Sequence, residues 1–121
     1  MTTRKTIRPI NSMVFIHDAT QFDVPDLEAD KPVTSTATCV QMLTYPECDG
    51  RTDVTFGPLT GAEPSFPLYH NALLETPSRT VVMSTVDEQL LFSVPVPDPM
   101  TRVRIWLNRP FNPDEVVVGL G

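Results

Sequence analysis

Lysine is almost missing from this chain: Lys5 and Lys31 stand against fifteen acids, and the net charge is −6. A surface of that sign is poorly suited to neutralising phosphates, so direct nucleic-acid binding is not expected. A basic protein suits it better as a partner. No apolar run approaches the roughly 18 residues of a membrane span. The basic start, Met1–Arg8, is not followed by the apolar core of a secretion signal. These absences point to a cytoplasmic protein.

Cysteine is scarce too. Cys39 and Cys48 are too few for a disulfide framework or a zinc site. They read as two reduced thiols, with Cys39 buried. No Gly-x-Ser-x-Gly elbow, phosphate loop, dinucleotide fingerprint or His-Glu-x-x-His motif is present. Of the two histidines, His17 has Asp18 beside it, but neighbours in a strand point to opposite faces and make no acid/base couple. His17, His70, Cys39 and Asp23 have no metal-ligand spacing. The expectation is a non-enzymatic protein with no metal and no cofactor.

What the chain does have is proline, thirteen of 121 residues, over twice the usual ~5%. Proline interrupts helices and central strands, so the count predicts many short elements joined by rigid turns. The runs between turn signals number roughly eight to ten. They predict an all-β fold, an antiparallel β-sandwich or partly closed barrel with little or no helix. Residues 1–121 read as one domain, with 1–11 a flexible or edge arm.

The clearest block is Arg79–Asn108, three β-branched runs that predict three successive strands of one sheet. Upstream, Ser12–His17 and, more weakly, Thr20–Val24 read as strands, and Pro25–Pro32 as a loop. Val33–Leu43 predicts one long strand, returning through an Asp49-Gly50 hairpin turn to Thr52–Phe56. Ser65–Thr76 fits a strand with Phe66, Leu68 and His70 on one face, or a helix with Pro67 in its first turn. The β-rich flanks favour the strand. Glu115–Leu120 predicts a buried closing strand.

Two stretches are candidate binding sites. Asp18, Asp23, Asp26, Glu28 and Asp30 are five acids in thirteen residues. That run is either a solvated loop or a patch for a basic partner. In the strand Thr101–Asn108, Val103, Ile105 and Leu107 alternate with Arg102, Arg104 and Trp106. Tryptophan and arginine are enriched at binding hot spots, and Arg109 lies close by. Whether Trp106 is presented there or shielded in a core stays open at this level.

Gln21–Val24, the run Leu91-Phe-Ser-Val-Pro95 and the alternating strand ending in Trp106-Leu107 together resemble the competence protein J family of inhibitors of a DNA-entry nuclease. The resemblance implies an acidic protein that binds and inhibits a basic enzyme, and assigns no individual residue a role. The leading expectation is therefore a protein-binding β-sandwich of inhibitor or immunity type. A structural subunit of a phage or secretion-type assembly, self-associating through its basic arm and acidic loop, is the alternative. A small-molecule or carbohydrate-binding module using Trp106 is the third.

Overall fold

A computed structural model describes residues 2–20, 23–26, 31–46, 48–58 and 64–121. Along the chain run β1 (Thr3–Ile7), a 3-10 turn (Ile10–Ser12), β2 (Met13–Asp18), β3 (Val33–Ser35), β4 (Cys39–Leu43), β5 (Thr52–Pro58), β6 (Leu68–Glu75), β7 (Thr80–Thr85), β8 (Leu90–Pro95), β9 (Met100–Leu107) and β10 (Glu115–Leu120). Among the described residues these ten strands form two five-stranded sheets. Sheet I has the order β1-β5-β10-β9-β6 and sheet II the order β3-β4-β2-β7-β8. The all-β sandwich is as expected, and it does not close into a barrel. Sheet II is antiparallel throughout, whereas sheet I holds one parallel pair, β5 with β10.

The core lies where the inward faces meet. Val14, Ile16, Val40, Met42, Val81 and Met83 of sheet II join Val54, Leu74, Val103, Ile105, Leu107 and Val118 of sheet I in one buried cluster. Phe56 and Phe92 stack across the interior with ring centroids 4.9 Å apart. One open side is laced by Lys5 on β1. It donates from Nζ to the Leu91 carbonyl at 2.7 Å and stands 5.0 Å over the Phe92 ring. A lysine on an edge strand also discourages edge-to-edge pairing.

Several expectations about connectivity are corrected. Arg79–Asn108 is not one sheet: β7 and β8 form a hairpin in sheet II, and β9 belongs to sheet I between β10 and β6. The cause is the connector. Pro95, Pro97 and Pro99 lack the N–H a ladder needs, so the chain leaves sheet II and crosses over. Buried Val96 anchors the crossing, its N–H bonding the Arg79 carbonyl at 2.9 Å.

Val33–Leu43 is likewise broken, into the antiparallel pair β3 and β4. Thr36 breaks it, because its Oγ1 accepts from the Thr38 and Cys39 N–H groups at 3.3 and 3.1 Å. Such local side-chain bonds compete with a ladder. The turn at Asp49-Gly50 exists, with both N–H groups on the Pro46 carbonyl, but β4 and β5 lie in different sheets. Gly50 is not in the left-handed region; a Cβ there would sit 2.9 Å from the Tyr45 ring, so any other residue would have to displace that side chain. Of Thr20–Val24, the described residues are not strand. Residues 68–75 are extended, as favoured, yet a bulge puts Leu68 opposite Trp106 and His70 opposite Ile105, on different faces.

Candidate protein-binding face

The outward face of sheet II departs from the alternation an exposed sheet should show. β2 reads Met-Val-Phe-Ile-His-Asp, and its outward residues Phe15 and His17 are buried along with its inward ones. Cys39 and Gln41 on β4, with Val82 and Ser84 on β7, continue this second buried layer. Burial pushes the Cys39 thiol up to about 12, with help from the charge of Asp23.

Beside that layer lies an open groove of about 620 Å³, whose lining includes Phe15, Val24, Val82, Val86 and Leu90. Its polar element is a histidine–serine pair. His17 Nδ1 lies 2.6 Å from the Asp18 carbonyl, which can only accept, so Nδ1 carries the hydrogen. Neutral Nε2 then accepts the Ser84 hydroxyl hydrogen at 2.8 Å. Burial lowers the proton affinity of His17 below the usual imidazole range, against the pull of the Asp18 carbonyl and carboxylate. These groove residues were not singled out from sequence. The one available signal was β2 itself, a run apolar on both faces.

The acids of the 18–30 run divide. Asp18 is 1% exposed, and its carboxylate ties the end of β2 to the turn before β7. Ser78 donates to Oδ1 from its backbone N–H at 3.0 Å and its hydroxyl at 2.7 Å, while the Thr20 N–H (2.9 Å) and hydroxyl reach Oδ2. Burial opposes the charge, but these four bonds prevail and hold the carboxyl below its ordinary range. Asp18 is thus consumed by the fold. Asp23 and Asp26 are exposed. The Asp23 backbone is pinned by Thr36 and Thr38, both at 2.8 Å, next to Val24 in the groove wall. Glu28 and Asp30 lie outside the described residues.

Arg102, Arg104 and Trp106 lie on the outward face of sheet I, so the two candidate sets occupy opposite sides of the sandwich. Trp106 is 2% exposed, although it faces away from the main core. Leu68 and Val117 flank it in register, and the Arg104 guanidinium stacks 5.4 Å from its ring. Segment 64–67 crosses this face: Pro64 and Phe66 share a hollow with Val117, and the Pro67 carbonyl accepts from the Leu107 N–H. The indole is covered rather than presented to a ligand. Arg102 donates to Asn71 Oδ1 at 2.6 Å. Arg4 on this side pairs with Asp53 (3.2 Å), and Arg109, which stands 5.4 Å over the Tyr45 ring beyond the end of β4, pairs with Asp114 (3.6 Å). A hydrogen bond from Thr6, then Arg4, holds Asp53 below the usual carboxylate range.

This two-sheet architecture has known counterparts. The fold is similar to that of ComJ. The crystal structure of ComJ from Bacillus subtilis, an inhibitor of the DNA degrading activity of NucA, superposes with a TM-score of 0.71 at 8% identity, covering 98% of this chain and 93% of that one. The crocagin biosynthetic gene J protein superposes with a TM-score of 0.60 at 14% identity, over 99% of this chain and 96% of that one. At such identities the likeness concerns the fold, and it agrees with the resemblance noted from the sequence. No protein-family model and no curated protein matches the sequence. Among the described residues no helix is long and apolar enough to cross a membrane.

Proposed function

We propose that this protein acts without catalysis, by binding another protein through the acidic side of sheet II, and that its partner is a basic enzyme such as a nuclease. The observation that supports this reading is the uneven use of charge. On the sheet I side, Asp53 is neutralised by Arg4, and Arg109 pairs with Asp114 in the connection between β9 and β10. Glu88 in the groove lining, and Asp23 and Asp26, exposed in the segment that carries the groove residue Val24, form no ion pair among the described residues. Unpaired acids on one face steer a cationic partner and favour fast association that weakens with salt. The inhibitory role of ComJ, on the same fold, is in keeping with it.

The test is inhibition of DNA degradation by a panel of basic nucleases, NucA among them. Inhibition of at least one enzyme at near-equimolar protein is expected. It should fade with added salt and on joint neutralisation of Asp23, Asp26, Glu28 and Asp30 to Asn or Gln. No inhibition across the panel, or inhibition indifferent to those changes, would remove the nuclease reading.

A further inference from the structure

Three of the large exposed apolar side chains, Val24 (49%), Val86 (43%) and Leu90 (60%), converge on the one groove over sheet II. Their placement is built into the backbone. Between β7 and β8 the register slips, so that Met83 faces Phe92 but Ser84 faces Leu90. The extra residue, Leu91, packs toward the core, and Leu90 is re-aimed outward beside Ser84. The turn that holds Val86 out is closed by the Glu88 N–H on the Thr85 carbonyl and the Gln89 N–H on Thr85 Oγ1, both at 3.0 Å. Glu88 adopts φ 65°, which a residue other than glycine occupies at some cost.

The chemistry of the lining says what would fill it. Around an apolar floor of Phe15 and Val82 stand a carboxylate, Glu88, and an oxygen, Ser84 Oγ, whose own hydrogen is already given to His17. No lysine or arginine is among the described lining residues, and His17 is held neutral. The groove offers acceptors and negative charge, so the occupant must bring donors and positive charge together with apolar bulk. We infer that the groove receives an extended segment of the partner protein in which an apolar side chain stands next to a lysine or arginine. The apolar side chain sits over Phe15 and Val82, and the cation reaches Glu88 along an aliphatic stem. This rests on the protein-binding reading above and specifies the partner's chemistry.

Methyl NMR on the full chain, titrated with acetyl-Phe-Lys-amide, acetyl-Phe-Glu-amide and acetyl-Ala-Lys-amide, tests it. Saturable shifts of the Val82, Val86 and Leu90 methyls are expected from the Phe-Lys peptide, weaker ones from the other two. Leu90→Ser, at an exposed position that leaves the fold intact, should reduce affinity about tenfold. Glu88→Lys should shift the preference toward Phe-Glu. Equal responses to Lys and Glu peptides, shifts centred on Leu68 and Leu73 instead, or no saturable shift at millimolar peptide would overturn the proposal. Peptide binding without inhibition of any nuclease keeps the groove and removes the nuclease. Salt-sensitive nuclease inhibition without peptide binding does the reverse.

Discussion

The two outward faces of the sandwich begin alike and end differently. Each carries apolar side chains where a solvated sheet would show polar ones: Trp106, Leu68 and Val117 on sheet I, and Phe15, Val82 and Leu90 on sheet II. On sheet I the chain supplies its own cover for the indole, with segment 64–67 on that face and Arg104 over the ring, while Leu68 beside it stays 48% exposed. On sheet II, Phe15 and Val82 form the buried floor of an open groove whose wall residues Val24, Val86 and Leu90 are exposed, and Asp23 and Glu88 form no ion pair among the described residues. An apolar residue on an outward face is therefore no binding signal by itself. What distinguishes a site is whether the molecule has already spent that surface on itself.

Stability measurements on single variants can break or sharpen this contrast. Trp106→Ala should cost about 3–5 kcal/mol in chemical denaturation, the usual price of deleting a buried aromatic side chain; a loss below ~1 kcal/mol would mean the sheet I face is as open as the other. Next, Asp18→Asn should cost about 2–3 kcal/mol, since it removes a charged acceptor from four donors. Neutralising Asp23 or Asp26 should stay within ~0.5 kcal/mol. The folded-state carboxyl of Asp18 titrates below its unfolded value. Its contribution is thus complete above the unfolded pKa and fades as pH falls through the folded one. The gap between wild type and Asp18→Asn should close in acid, and a pH-independent gap would contradict the ionic account.

Smaller still, Arg104→Ala should cost about 0.5–1 kcal/mol through lost stacking on Trp106. Leu90→Ala should be the mildest, within ~0.5 kcal/mol, because its side chain covers nothing essential to the fold. If Leu90→Ala destabilised the protein as much as Trp106→Ala, the groove would be core and the contrast would collapse.

The strands were largely legible in the residues, and the face of each could be read wherever alternation was clean, as from Val103 to Leu107. Which sheet a strand joins was not legible. Periodicity reports two faces and carries no record of neighbours, so β9 looked like a continuation of β7 and β8. The prolines of 95–99 marked the end of a ladder without saying where the next began. The acidic run shows a second limit. Asp18 and Asp23 are the same residue type in one stretch, yet only Asp18 meets Ser78, sixty positions away in sequence. Alternation alone leaves Trp106 between core and surface, and a buried outward position satisfies both descriptions. The groove was least visible, since it joins β2 to the distant hairpin β7–β8, whose bulge turns Leu90 outward.

The place of β10 has a consequence for how the protein folds. Every strand of sheet II lies before residue 96, whereas sheet I stays in two fragments, β1 with β5 and β9 with β6, until Glu115–Leu120 joins them. A chain cut before Glu115 would leave the inner wall of sheet II facing no completed partner, and that exposed apolar surface would make it prone to aggregate.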